Sequence, residues 1–362
     1  MAKNKTIAFF NGVYLPHLGG VERYTFELAS RLKKDYNVII VTANTENLPA
    51  EADEGGIKIF RLPVKKLPKN KRLPFLKKNE VYKKLVEKIE NLDIDQIVCN
   101  TRFYETTLLG CKIAQKKHIT PWVINHSGGY VLKPYEDFIT KKVLKYRPKF
   151  YAVSKTSSKF LKNEYGVETA NIFYNAISRA KDFKKPENKT VKILYAGRLI
   201  KGKGLEILLK AFELVKNKCD VELVIAGDGP LKKLIKDDEK IKFLGYTKHD
   251  ELMQLFRKID IFAFPTSYPE GFPTVVLEAG INKCAVIASG IDANKEMLGR
   301  RSAIIVKNDN KTIVRDLAAA IEKVANDSKY RKKLQDDLFR RVNEKYTWEE
   351  TVKTFKQEIK NV

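Results

Sequence analysis

A chain of 362 residues, 43% of them hydrophobic, can build two medium-sized domains with full cores or one large one, and is too apolar for a disordered protein. Its 69 Lys and Arg against 44 Asp and Glu give a formal charge of +25, which points to nucleic acid, an anionic membrane face or a merely lysine-rich surface. No apolar run approaches the ~20 residues that span a bilayer, and four widely spaced cysteines without a C-x-x-C pair suggest neither a zinc site nor a disulfide framework.

The start of the chain, MAKNKTIAFFNGVY, is basic, but its apolar stretch IAFF is too short for a signal peptide and reads as a first strand. Together with the cysteine pattern, this predicts a reduced, cytoplasmic location. Gly19 and Gly20 follow in a loop, then a helical pattern, VERYTFELASRL, and a second strand within NVIIVTAN. Residues 61–90 hold eleven Lys and Arg against three Glu, with Leu, Phe, Val and Tyr interleaved. That composition fits a membrane-surface patch, for which Lys71, Arg72, Lys77, Lys78, Lys83 and Lys84 are the candidates, or a plain solvated face. Neither zinc-finger spacing nor an RNP-like aromatic pattern accompanies it, so no nucleic-acid partner is expected. The Asp-Ile-Asp at 93–95 mimics a metal-binding pair, yet it directly precedes the strand QIVCN and reads as a turn. The strand PWVINHS then delivers His126, either a packed loop histidine or a site residue. A second basic cluster, KKVLKYRPK, occupies 141–149.

After a charged stretch at 175–190 the chain begins again. TVKILYAGRLIKGKGLEILLKAFELVKNKCDVELVIAGDGP repeats the order strand, Gly-bearing loop, helix, strand at nearly the spacing of the first opening. Continuous Val/Ile runs mark strands of a parallel sheet buried on both faces. IKFLG, IDIFAFP and CAVIAS supply further strands. The predicted architecture is α/β, two Rossmann-like doubly wound domains, at 1–178 and 179–345, with a helix at 346–362 crossing back to the first. Thr347, with Glu350 three residues on, has the spacing of a capping box for that helix. Ligands of open parallel sheets bind outside the carboxyl ends of the strands, so the expected site is the cleft between the two domains.

Both Gly-bearing loops lead from a strand into a helix, where free amides and the helix dipole favour an anion, although such turns are common without a ligand. The second loop adds Arg198 and Lys203, a planar fork and a movable point charge suited to phosphate oxygens, or cations placed there by chance in a basic chain. Further on, TSYPEGFPTVVLEAG carries Glu270 and Glu278 around an expected helix start near Val275, roughly 10 Å apart by helical rise. Carboxylates in apolar sequence are rarely buried unpaired, so Glu278 forms either a structural ion pair or hydrogen bonds to ligand hydroxyls. With helix-terminal amides between them, the two acids suit the order sugar, phosphate, ribose.

This set of motifs resembles glycosyltransferase family 4, the retaining GT-B enzymes, whose signature is E-x7-E, here Glu270-GFPTVVL-Glu278. GGVE at 19–22, GRLIKGKG at 197–204, GDGP at 227–230, FLG at 243–245 and YTWEE at 346–350 stand in the family's order. The resemblance implies a hexosyl-type transferase working without a metal or other cofactor. It implies a nucleotide-diphosphate sugar as donor, a UDP-sugar first, with dTDP- or GDP-sugars as alternatives. The implied acceptor is a lipid-linked saccharide or glycolipid in envelope or capsule synthesis, met at the inner face of the cell membrane. It implies that Gly19 and Gly20 approach the donor diphosphate through backbone, that Gly197 opens the second loop, and that Arg198 and Lys203 neutralise the leaving phosphates. It further implies that Glu270 holds donor-sugar hydroxyls, that Gly271, Phe272, Pro273 and Thr274 lie against sugar and phosphate, and that Glu278 accepts from ribose. Tyr246 and Thr247 would border the base, and His126 would orient the donor sugar and not act as nucleophile. Many members carry Gly where this chain has Pro273, which removes one N–H from the cradle. The alternatives are a non-catalytic sugar-nucleotide-binding or scaffold subunit, a basic nucleic-acid binder, and a phosphorylase of the same fold, which would need pyridoxal phosphate.

Overall fold

Runs of Ile, Val, Phe and Ala form the central strands of two parallel sheets, one in each of two units. The computed structural model describes residues 4–16, 19–65, 74–129 and 133–361. One unit comprises Met1–Tyr174 with Thr351–Val362, the other Asn175–Glu350. Lys71 and Arg72, two of the membrane-patch candidates, lie outside the described residues.

In the first unit, β1 (Thr6–Phe10) leads through α1 (Gly20–Leu32) to β2 (Asn37–Ala43), β3 (Glu51–Asp53), β4 (Ile57–Leu62) and α2 (Glu80–Glu90). Then follow β5 (Gln96–Asn100), α3 (Glu105–Lys116), β6 (Trp122–Asn125), α4 (Pro134–Leu144), β7 (Lys149–Ala152), α5 (Lys155–Tyr165) and β8 (Asn171–Ile172). Among the described residues the sheet has the order β3-β4-β2-β1-β5-β6-β7-β8, with β3 antiparallel to β4. Strand order therefore reverses between β1 and β5, the point at which such sheets hold ligands.

The second unit repeats the plan. It contains β9 (Val191–Ala196), α6 (Leu205–Val215), β10 (Val221–Ala226), β11 (Ile241–Gly245), α7 (His249–Phe256), β12 (Ile261–Phe264) and α8 (Thr274–Ile281). These are followed by β13 (Ala285–Ser289), α9 (Asp292–Leu298), β14 (Ile304–Val306), α10 (Ile313–Asn326) and α11 (Ser328–Lys345). The order β11-β10-β9-β12-β13-β14 is parallel throughout, and it reverses between β9 and β12. The loops leaving those two strands carry Arg198 with Lys203, and Glu270 respectively.

Helix α12 (Trp348–Lys360) returns the chain to the first unit at Thr351. Its Phe355 is fully buried, with ring centroids 5.5 Å from Trp122, 5.1 Å from Phe173 and 6.2 Å from Phe9. Glu358 accepts hydrogen bonds from Tyr151 and Lys149 at 2.9 Å and from Asn171 at 3.1 Å. Burial pushes its carboxyl up, but these donors prevail and hold it below its ordinary value.

One local expectation is corrected and two others gain detail. The capping box at Thr347 is not made: its hydroxyl is buried without a hydrogen-bond partner among the described residues, while the flanking Tyr346 carbonyl and Trp348 amide pair with Ile177. In the basic stretch, Arg61 is a β4 residue buried against Glu54 at 2.6 Å, and Leu76, Leu85 and Ile89 face the core; Lys77, Lys78, Lys83 and Lys84 are exposed. The strand IKFLG is an edge strand with Phe243 and Leu244 exposed, because the crossover before it holds only a five-residue 3-10 helix, Pro230–Leu234. Asp95, from the Asp-Ile-Asp turn, accepts from the Thr6 amide at 2.6 Å and ties down the amino end of β1.

Candidate functional site

The loop after β9 is shaped by glycine. Gly202 and Gly204 have φ of 87° and 88°, a region that side chains disfavour. A Cβ at Gly204 would also collide with the Pro265 carbonyl, so this loop and the one after β12 approach as closely as only glycine permits. The Gly202 carbonyl accepts from the amides of Ser267 at 2.8 Å and Tyr268 at 3.0 Å, and from the Thr266 hydroxyl at 3.1 Å. Loops 67 residues apart thus become one platform.

On that platform Lys203 is ion-paired with Glu270, both side chains about 15% exposed. The Lys203 ammonium also lies 4.5 Å from the Tyr268 ring centroid, within cation–π range. Beneath, the Tyr195 hydroxyl donates to the carbonyls of Arg198 at 3.2 Å and Lys203 at 3.3 Å. Burial, with the Glu270 charge adding and Arg198 opposing, pushes that phenol well above its ordinary value, so it remains a donor. Arg198 is exposed and has no ion pair among the described residues.

Pro273 is the N-cap of α8, which starts at Thr274. Its missing N–H therefore costs the helix nothing, and the first-turn amides of Thr274 and Val275 face outward from an uncapped terminus. Gly271 and Phe272 are buried; the Phe272 ring packs edge-on against Tyr346 at 5.2 Å and its carbonyl accepts from Asn175 at 2.9 Å. Glu278, with a side chain 10% exposed, is not unpaired: its Oε1 lies 3.0 Å from Nε2 of His249, the first residue of α7. Just ahead of α7, Tyr246 is 76% exposed, while the Thr247 hydroxyl bonds the Gly245 carbonyl at 3.3 Å.

In the first unit, Gly19 is the N-cap of α1 and Gly20 its first residue. Glu22 folds back so closely that a Cβ on Gly19 would strike its carboxylate, whereas nothing described lies within 4 Å of a Cβ at Gly20. His126 is half-buried, its ring edge-on to Tyr24 at 4.8 Å, and desolvation pushes its pKa down to about 3. It is neutral at physiological pH, with Nε2 3.2 Å from Asn100 Oδ1. Asn100 donates in turn to Asn11 at 3.0 Å and Thr25 at 2.8 Å, which assigns the ring proton to Nε2.

Sequence reasoning missed Tyr195, Tyr268 and His249. No periodicity or motif marks them; each acquires its role from a partner supplied by another loop or helix.

Residues 18–181 match the family described as Glycosyltransferase Family 4, and residues 177–338 that described as Glycosyl transferases group 1. An uncharacterised glycosyltransferase of Methanocaldococcus jannaschii is 25% identical over 393 residues, spanning 99% of this chain and 98% of that protein. A putative teichuronic acid biosynthesis glycosyltransferase of Bacillus subtilis, TuaC, is 28% identical over 153 residues, 42% of this chain and 38% of its own length. Among solved structures, a glycosyltransferase of Rickettsia africae superposes with a TM-score of 0.77 at 19% identity, covering 100% of this chain and 99% of its own. HepE of Anabaena, solved in complex with UDP and glucose, reaches 0.74 at 14% identity, covering 99% and 100%.

Proposed function

Because the chain belongs to glycosyltransferase family 4 and has the GT-B fold, we propose that it moves a sugar from a nucleotide-diphosphate sugar to a saccharide acceptor with retention of anomeric configuration. The observation that carries the reading is the Lys203–Glu270 pair on the two loops at the strand-order reversal of the second sheet. Without ligand, each group satisfies the other. An arriving diphosphate takes Lys203, and the released Glu270 accepts hydroxyls of the donor sugar.

Arg198 and Lys203, with the first-turn amides of α8, neutralise charge as it grows on the leaving phosphate. These groups supply the electrostatic work, so the reaction proceeds without a metal. The bond from the sugar's anomeric carbon to the phosphate oxygen breaks, and the acceptor hydroxyl forms the new bond on the same face. Its proton passes to the departing phosphate oxygen. Glu278 receives the ribose hydroxyls, and the exposed Tyr246 ring borders the base beside Thr247. A UDP-sugar is the first candidate donor, in keeping with the ligand of the Anabaena protein, and dTDP- and GDP-sugars are the alternatives. Nucleotide release from a panel of these donors tests the reading, and Glu270→Gln should abolish it. Binding without release would favour a non-catalytic sugar-nucleotide-binding subunit.

We further propose a lipid-linked saccharide or glycolipid acceptor in envelope or capsule synthesis, reached from an anionic inner membrane face. Exposed Lys77, Lys78, Lys83 and Lys84 support it, as does Phe138, 49% exposed with Lys142 at 4.3 Å from its ring. Lys83 is partly spoken for by Glu80 at 2.7 Å. No helix among the described residues is long and apolar enough to cross a membrane, so attachment would be peripheral. Reversing the four lysine charges should release the protein from vesicles containing phosphatidylglycerol, each near-surface cation contributing ~1 kcal/mol. Unchanged co-sedimentation would reject the membrane patch.

A further inference from the structure

The reading above gives Glu278 a ligand to hold, but a carboxylate on a three-torsion side chain does not aim itself. In this chain one of its oxygens is already taken. Glu278 Oε1 lies 3.0 Å from Nε2 of His249, and among the described residues the side chain's hydrogen bond and ion pair both run through that one oxygen. A carboxylate only accepts, so Nε2 carries the proton and donates. Among the described residues His249 Nδ1 is buried without a hydrogen-bond partner, and Asp250 Oδ1 stands off at 3.7 Å.

The ring is held at a fixed place. His249 opens α7, and the helix start is locked by Glu251, which reaches back to the Lys248 amide at 3.2 Å, and by the Leu252 amide on the Lys248 carbonyl at 2.8 Å. On the other side, Asn282 bonds the Glu278 carbonyl at 2.9 Å and thereby steadies the end of α8. The pair therefore bridges two helices while leaving one acceptor oxygen open.

We propose that His249 is a positioning residue for nucleotide recognition: by holding one oxygen of Glu278 it aims the other at the ribose hydroxyls of the donor. This rests on the reading that Glu278 meets the ribose. Its value lies in preorganisation, because a rigid acceptor pays less ordering entropy on binding than a free one. His249 does not touch the sugar or the reacting atoms, so its loss should weaken donor binding and leave the chemical step intact.

Calorimetric titration with UDP, GDP and dTDP identifies the nucleotide that wild type binds; that nucleotide is then compared with its 2′,3′-dideoxy form. His249→Ala should lose about tenfold in affinity for the ribonucleotide, the value of one well-placed hydrogen bond, and less than twofold for the dideoxy form. His249→Phe, which keeps the ring's bulk without the donor, should behave as the alanine variant does. His249→Gln, which restores an N–H, should recover most of the loss. With the sugar donor, KM should rise in proportion while kcat holds. In a Glu278→Ala background the His249 change should add nothing. Equal losses for both nucleotide forms, or no loss, would overturn the proposal. If Glu278→Ala itself leaves affinity for that nucleotide unchanged, or wild type binds none of the three, the ribose reading fails and this inference falls with it.

Discussion

Replacing Lys203 by alanine is expected to lower nucleotide release from the preferred donor by on the order of 10²–10³-fold at saturation, the usual cost of losing one preorganised charge at a developing anion. The size follows from what surrounds the ammonium. It is paired with Glu270, stacked near Tyr268 and about 15% exposed, so little water competes for it. Alanine removes the cation and also strands Glu270, a half-sheltered carboxylate, without its partner. Lys203→Arg should recover only part of the rate, since a planar fork does not occupy the position of a point charge. Glu270→Gln is the reciprocal case: it leaves Lys203 charged yet abolishes the anionic acceptor for the sugar hydroxyls. A folded Lys203→Ala protein within threefold of wild-type turnover would refute the role assigned to the pair.

The largest expected stability effect lies in the other unit. Phe355→Ala should cost about 3–5 kcal/mol, the range for truncating a fully buried aromatic side chain. Its ring touches three others, and beside it Tyr151 and Phe173 stack at 4.4 Å, so the cavity cannot close by moving one neighbour. A chain of two units need not unfold in one step, so a single melting temperature is the wrong readout. Fluorescence of Trp122, whose ring is in the cluster, should instead report the first unit's transition at a lower denaturant concentration. An unchanged transition would mean that α12 contributes little to this core.

Much of this architecture is legible in the residues because parallel strands buried on both faces leave continuous Val/Ile runs, as in NVIIVTA and VELVIA. The eight-residue spacing of Glu270 and Glu278 likewise reads directly, since a helix start between them follows from local chemistry. What escaped depends on distant partners. Glu278 reads as a choice between a structural pair and a ligand contact, and only the arrival of α7 beside α8 supplies His249. The apolar residues of 61–90 read as interleaved with lysine, but three-dimensional placement sends Leu76, Leu85 and Ile89 inward and leaves the lysines out. At IKFLG the strand signal is right, and exposure is decided by the shortness of the preceding crossover. At Thr347 the spacing of a cap is present in the sequence, yet the hydroxyl bonds nothing among the described residues, and spacing alone does not reveal that.

The aromatic ring at position 355 has one more implication, for the order in which the molecule is made. Trp122, Tyr151 and Phe173 leave the ribosome well before Phe355, with the whole of the second unit synthesised in between. At typical elongation rates of ~5–20 residues per second, the nascent first unit waits on the order of ten seconds or more with that apolar surface unsealed. The second unit meets no such delay, since its sheet and helices come from one uninterrupted stretch. Chaperone capture of the growing polypeptide should therefore centre on the earlier half.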